Sequence, residues 1–507
     1  MKYRSGLLPI HLEIDPTEAE VTSHAGLLVY LDAWNRLGVA GMVDERVHIC
    51  GSQGWLDRQM VLSLALLNLA GGDCVTDIDK LEDDAGLRRL VSSAEYSGMS
   101  LAQRKAAKKR FRGGRNRVFP AATQIYTFLE TCHDAAEEVR RVEGKAFIPA
   151  ANEHLRSLRC VNTDLIGQLQ RLSPQAVATL DGDATLVQTH THSARFCYEG
   201  YRAYQPYNVW WAEQQVVLHS EFRDGNVPAG HEVIRVMREA LSCLPEGVER
   251  VYTRQDTAAY QTDFLAWCER EREHPKYGRI LFTISADMTP ALRAEIQKVT
   301  DWQPVGRVQA GGVKQPRREW AEVVFVPNSH AVLTDIKEPL RYIVVRERES
   351  EQLSLLEADA TGTLPFPTMT FANVRYKLQA IVTNRREEEA QELIAWHYGR
   401  CGKSEEAHSI MKEDFSGGQL PSAKFGASAA WWALMILSLN FQATLKRLAL
   451  GPLWMKKRMK AIRFGIINTP GRIVHHSRQY VLRVSASMHA FLATLREAVS
   501  CWQPAVG

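Results

Sequence analysis

The sequence has no pair of cysteines at metal-binding or redox spacing. Its nine cysteines (Cys50, Cys74, Cys132, Cys160, Cys197, Cys243, Cys268, Cys401 and Cys501) are scattered over 507 residues. Neither a disulfide framework nor a zinc site follows from that pattern, and a reducing cytoplasm is the expected setting. A secretory start is also missing, because Met1 to Ile14 has no basic opening followed by an apolar run and a small-residue cleavage site. Long hydrophobic runs are absent too. The most apolar stretch, Ala429 to Phe441, is too short to span a bilayer and contains Ser438 and Asn440, so it reads as a buried core helix. There is no internal repeat and no low-complexity tract. Acid is what one long segment lacks altogether: from Phe415 to Arg496 there are twelve Lys or Arg and no Asp or Glu.

What is present is an ordinary globular composition, 45% hydrophobic and 24% charged, long enough for two to four domains. The net charge of +4 is uninformative until its distribution is seen. Between Arg104 and Arg117 lie eight basic residues and no acid, including Lys108, Lys109, Arg110 and Arg112, broken by Gly113-Gly114. The C-terminal acid-free segment is densest at Lys456, Lys457, Arg458, Lys460 and Arg463. Such clusters repel themselves unless a polyanion neutralises them, and counterion release from nucleic-acid phosphates is the usual gain. A solvated basic face is the competing reading. Trp454, Tyr480 and His475-His476 are interleaved with these charges, where they suit base stacking or core packing.

Along the chain, Thr22 to Val142 carries helical periodicity, with turn signals at Gly71-Gly72 and Gly113-Gly114. From Ser173 onward short β-type runs appear: Ala176–Leu186, Val209–Phe222, Val248–Thr253 and Arg279–Ser285. Val233, Val236, Met237, Ala240, Leu241 and Leu244 form a helical stripe among them. Residues 300–371 are irregular, with strand-like Glu319–Val326 and Arg341–Val345, and read as an insertion. A strong strand follows at Val374–Val382, and Asn384 with Glu387 suggests a capping box. The expected class is α+β, with helices packed on a mixed sheet.

Three sets of carboxylates could carry chemistry. Asp181 and Asp183 lie two residues apart in a strand, so both leave the same face, and charge inside an apolar strand is costly without a function. Asp256 falls where a strand runs into a helix, a place for a catalytic group or an ordinary N-cap. Tyr398, Glu405 and Lys412 are spaced seven apart, close to two helical turns, which would line them on one stripe with Glu405 between two phosphate-holding groups. Three carboxylates can hold two divalent ions that drive in-line phosphoryl transfer, and magnesium suits oxygen ligands. His190 and His192, at H-x-H spacing, read as strand-end polar residues.

With those residues in view, the sequence resembles bacterial insertion-sequence transposases of the DDE class, and among them the insertion-sequence 1380 family. The resemblance runs from TSHAGLLVYL through LNLAGGDCVTDIDKLEDDAGL to FGASAAWWALMILSLN. It rests most on the D-x-D-x-T strand (Asp181, Asp183, Thr185), the R-x-D segment (Arg254, Asp256) and the Tyr398, Glu405, Lys412 spacing. Related families carry Y-x2-R-x3-E-x6-K; here the arginine position is Cys401 and the nearest arginine is Arg400. Glu406 therefore stands as an alternative to Glu405, and Asp181 as an alternative to Asp183.

The resemblance implies an RNase H-like catalytic core with a β-rich insertion, flanked by helical N- and C-terminal domains. The expected boundaries are 1–165 for a helical DNA-binding and dimerisation domain, 166–299 and 373–445 for the two parts of the core, 300–372 for the insertion, and 446–507 for a basic helical region. It also implies two Mg²⁺ (or Mn²⁺) ions on Asp183, Asp256 and Glu405, with Arg254, Tyr398, Arg400 and Lys412 near phosphates. The partners implied are terminal inverted repeats and target DNA, with a homodimer on paired ends and no membrane. A nuclease of the same fold without strand transfer, or a domesticated non-catalytic DNA-binding protein, are the alternatives.

Overall fold

The computed structural model describes residues 20–97, 99–111, 114–306, 317–327, 338–348, 367–400, 403–476 and 479–502. Its strands, in chain order, are β1 (Val21–Thr22), β2 (Val177–Ala184), β3 (Val187–Gln188), β4 (Arg195–Phe196), β5 (Arg202–Tyr204), β6 (Tyr207–Trp211), β7 (Val216–Glu221) and β8 (Arg250–Gln255). There follow β9 (Leu281–Ala286), β10 (Gln303–Pro304), β11 (Arg318–Val323), β12 (Arg341–Arg348), β13 (Thr368–Phe371), β14 (Val374–Thr383), β15 (Gly471–His476) and β16 (Gln479–Arg483). The chain divides into two compact units, one of residues 1–131, 414–416 and 444–507, the other of residues 132–413 and 417–443.

The first unit is mainly helical. Helix Asp57–Ala70 buries Met60, Leu64 and Leu67 and stops at Gly71, whose φ of 95° lies in the left-handed region. The Asp84 carboxylate accepts from Leu87 N at 2.7 Å and opens helix Ala85–Tyr96. The C-terminal helix Ala486–Ser500 lies against helix Leu27–Arg36, where Arg496 Nε meets Asp32 Oδ2 at 2.6 Å and Arg36 donates to the Ser500 and Trp502 carbonyls. The region expected to be helical beyond residue 446 contains a hairpin as well as helices. β15 and β16 pair antiparallel, and β1 from the other end of the chain adds to β15, with Val21 opposite Arg472.

The second unit is built on one sheet of ten strands, ordered β10-β11-β12-β14-β9-β8-β2-β6-β7, with β13 added on β14. β2, β8 and β9 run parallel; the other pairings are antiparallel. The long apolar run Val209–Phe222 splits into the hairpin β6-β7, because Gln215 adopts a left-handed φ of 58°. Strands β10, β11 and β12 come from the stretch expected to be a separate insertion, yet they extend the main sheet. The reason is apolar: Ile343 and Val345 of β12 share one core cluster with Ile381 of β14 and with Ala390, Leu393 and Ile394 of helix Ala390–Tyr398.

Asn384 does not cap that helix. It is buried and ties down β9, accepting from Phe282 N at 2.8 Å and donating to Ile280 O at 2.9 Å. The run Ala429–Phe441 lies inside helix Phe425–Leu445 and is buried as expected. Its Asn440 accepts from Val217 N at 2.8 Å and donates to Val217 O and Asn162 Oδ1, both at 2.7 Å. Among the described residues, no single helix is long and apolar enough to cross a membrane.

Candidate active site

Parallel pairing of β2 with β8 sets Asp181 opposite Arg254. Two residues further along, the same register brings Asp183 and Asp256 to the carboxyl ends of neighbouring parallel strands, where ligands of open α/β sheets gather. Gly182 between the two aspartates is required by crowding. A Cβ there would sit 2.3 Å from the Tyr207 hydroxyl and 2.4 Å from the Gln255 amide, two groups that hydrogen-bond beneath the strand.

The two aspartates of β2 meet different partners. Asp181 is buried and accepts from Arg254 Nε and Nη2, both at 2.7 Å, while Arg254 Nη1 donates to Trp396 O at 2.8 Å. This corrects the expectation that Arg254 reaches phosphate, since its donor edges are turned inward and it is buried. Asp183, with its side chain 24% exposed, lies 3.2 Å from Arg400 Nη2, and the same nitrogen is 4.0 Å from Asp256 Oδ2. Arg400 also donates to Gly182 O at 3.1 Å. Asp256 fills the capping role foreseen for it, because its Oδ1 accepts from Ala258 N at 3.0 Å and caps a short turn of 3₁₀ helix.

Charge in this cleft is finely balanced. Burial pushes the Asp256 carboxyl above its ordinary value, Arg400 pulls it back and Asp183 adds to the rise. Arg400 keeps its charge against burial because Asp183, Asp256 and Asp181 all favour it. His397, buried beneath and hydrogen-bonded to Thr283 Oγ1 at 2.8 Å and Ser285 Oγ at 3.1 Å, is pushed down to about 3 by burial and the nearby arginines. It is neutral at any ordinary pH.

The Tyr398, Glu405, Lys412 stripe is broken. Helix Ala390–Tyr398 ends at Tyr398, a second helix spans Lys403–Ser409, and Ile410–Asp414 is a π turn. Gly399 caps the end of the first helix, so a seven-residue spacing does not place the three side chains on one continuous helix. Tyr398 bonds to Gln379. Lys412 Nζ still reaches the cleft side, donating to Leu186 O just past β2 at 3.3 Å. Glu405 and Glu406 are exposed. His408, one turn beyond Glu405, is pushed down to about 4 by burial and by Lys412 and Arg400. Among the described residues no group of three or more His, Cys, Asp or Glu is arranged to hold a metal. Asp183 and Asp256 nonetheless supply a pair of hard oxygen donors that suits a divalent cation. The missing signal in the sequence is the arginine, since nothing in the spacing marks Arg400 as the partner of both aspartates.

The basic clusters sort by exposure. Lys108 and Lys109 end a helix, Leu101–Lys109, that buries no residue. Arg110 instead bonds to the carbonyls of Gly51, Gly54 and Trp55, and Arg112 lies outside the described residues. Lys456, Lys457 and Lys460 are exposed, whereas Arg458 forms a bidentate pair with Asp414 at 3.0 and 2.9 Å. Arg463 is likewise committed, donating to the Asn68 and Leu69 carbonyls. His475 and Tyr480 stand ring to ring, 5.3 Å apart, on the exposed hairpin β15-β16.

The cleft thus brings together a carboxylate pair at the ends of parallel strands, an arginine and a lysine. From residue 10 to residue 503 the sequence matches the family described as Transposase DDE domain group 1, and the chain belongs to that family. It is accordingly a DNA transposase, an enzyme of a family that generally uses divalent metal ions. No curated protein matches the chain. Among solved structures it is similar to a piggyBac transposase synaptic complex with hairpin DNA, at 9% identity and a TM-score of 0.41, over 96% of this chain and 86% of that one.

Proposed function

We propose that this transposase cleaves DNA at terminal inverted repeats and joins the freed 3′ ends to target DNA, and that it is of the insertion-sequence 1380 type. The observation that carries this reading is the juxtaposition of Asp183 and Asp256 at the ends of β2 and β8 under a single arginine nitrogen. Two antiparallel strands leading into three parallel ones, β7-β6-β2-β8-β9, support an RNase H-like core. Asp183 and Asp256 would hold divalent ions, magnesium or manganese, and the ions would activate the attacking oxygen and steady the leaving one.

Glu405 is the residue we assign as third ligand, with Glu406 as its neighbour in register. Its helix also carries His408, whose charged form Lys412 and Arg400 both disfavour and Glu405 favours. The bidentate bond from Arg254 to Asp181 favours Asp183 over Asp181 as the ligand. Lys412, Arg400 and Tyr398 would face the scissile strand, while Lys108, Lys109, Lys456, Lys457 and Lys460 would hold double-stranded DNA by its phosphates. Work on paired ends implies a homodimer acting in the cytoplasm.

The test is Asp256→Asn in a cleavage assay on an inverted-repeat duplex with Mg²⁺. Cleavage is expected to vanish while duplex binding by gel shift persists; full cleavage by this variant would exclude the assignment. Pre-cut ends offered with target DNA separate a transposase from a nuclease that only hydrolyses.

A further inference from the structure

In the first unit, β1, β15 and β16 form a small sheet with two unlike faces. Alternation along the strands puts Thr22, Gly471 and Ile473 on one side, where Thr22 and Ile473 are buried. His475 and Tyr480 share that side, and Arg89 of helix Ala85–Tyr96 lies over the Tyr480 ring at 5.2 Å, which pins the ribbon to the helix. The other side is open. Val21 and Val481 are 43% and 40% exposed there, and Gln479 and Arg483 are exposed beside them.

The strand register sets the chemistry of the open face. Arg472 stands opposite Arg483, Val474 opposite Val481 and His476 opposite Gln479. Like charges directly opposed weaken a strand pair, and valines left in water forgo the gain of burial, so this face is poorly suited to stand alone. The three strands contain no Asp or Glu, and Glu20, just before them, is held by Arg89 at 2.9 and 2.5 Å. A second copy of the chain paired along the edge strand β16 would set like charge against like charge. The major groove of DNA answers both needs, with phosphates and acceptor edges for the arginines and thymine methyl groups for the valines.

We propose that the β15-β16 ribbon enters the major groove of double-stranded DNA and reads the base sequence of the element's ends, which rests on the reading that the protein works at terminal inverted repeats. Five paired rows give about 15 Å of ribbon, and a groove about 12 Å wide admits two strands side by side. Arg483 suits the paired acceptors of guanine, Gln479 the acceptor and donor of adenine, and Val481 the thymine methyl. These three stand at alternate positions of one strand, so they meet successive steps along the groove. Lys456, Lys457 and Lys460 serve phosphates instead, which carry no sequence information.

The test offers the full-length protein a pool of random-sequence duplexes and sequences the bound fraction. The wild type should select a consensus. Gln479→Ala and Arg483→Ala should each relax it at a different position, with discrimination there falling about tenfold, and should lower the salt slope of binding by no more than about one unit. Arg483→Lys keeps the charge and loses the planar fork, so it should relax the same position as Arg483→Ala with the slope unchanged. Replacing Lys456, Lys457 and Lys460 by Ala should weaken binding to every duplex and keep the consensus. A wild type that selects no sequence, or ribbon variants that keep the wild-type consensus, would overturn the proposal; the same consensus with an altered sedimentation velocity would give this face to a second copy of the chain. A wild type that selects a consensus and leaves it uncut would keep the ribbon as a DNA reader and remove the cleavage reading.

Discussion

Asp181 and Asp183 leave the same face of β2, but Asp181 is closed off by two 2.7 Å bonds from Arg254 whereas Asp183 faces Arg400 at 3.2 Å with part of its carboxylate in solvent. One strand thus carries a structural acid and a candidate ligand a dipeptide apart. Their roles separate experimentally.

Asp181→Asn removes one partner of a buried ion pair and leaves Arg254 uncompensated, a loss of about 3–5 kcal/mol. Urea unfolding should show it, while Mn²⁺ binding measured by calorimetry on the folded fraction should remain. Loss of metal binding with unchanged stability would make Asp181 the ligand.

Arg400 is a cation already resting against Asp183 and Asp256, so it competes with any metal there. Arg400→Gln is expected to tighten Mn²⁺ binding and to weaken binding to cleaved DNA ends. Because the Asp256 carboxyl is raised, protons also compete from a higher pH than at an ordinary aspartate. Metal affinity should fall as the pH is lowered, and Asp256→Asn should remove that part of the fall. A pH-independent affinity would place the metal elsewhere.

His397 titrates near 3 when folded against an ordinary 6.5. Below pH 6.5 the unfolded chain takes up a proton that the folded chain refuses, so this residue's contribution is present above that pH and is lost on acidification towards 3. The slope is about 1.4 kcal/mol per pH unit. Comparing unfolding free energies of the wild type and His397→Gln across that range should show the difference; parallel curves would mean that His397 ionises freely.

Asn440→Leu leaves Val217 N and Asn162 Oδ1 without their partner in the core, while Val217 O keeps the 3.2 Å bond from Asn162 Nδ2. At about 1–3 kcal/mol for each unsatisfied buried group, the variant should be strongly destabilised despite its greater hydrophobicity. A rise in Tm would show that these groups find other partners.

Replacing Lys456, Lys457 and Lys460 by Ala should lower the salt dependence of duplex binding by about three units of slope. Arg458→Ala should instead lower stability, since Asp414 holds that guanidinium.

The strands were legible because β-branched and aromatic runs alternate with turn residues, and β14 runs from Val374 to Thr383, one residue past the expected end. Asp256 was legible as a site residue only beside the resemblance, since a capping aspartate looks the same in sequence. Three features were hidden for one common reason, that they depend on contacts between distant segments. Arg254 faces Asp181 only through strand register, Arg400 meets the aspartates only after a helix ends at Tyr398, and β12 joins the sheet only because Ile343 and Val345 find Leu393 and Ile394. Basic clusters misled in detail, because Arg110, Arg458 and Arg463 spend their charge on carbonyls and Asp414.

Strand β1 near the beginning of the chain has β15 as its partner, and helix Leu27–Arg36 rests on Ala486–Ser500. During translation the opening segment must wait for about four hundred and fifty further residues before its mates leave the ribosome. Prematurely terminated chains therefore carry an unfinished first unit, and any truncation that strips the closing helix should unseat the opening one as well.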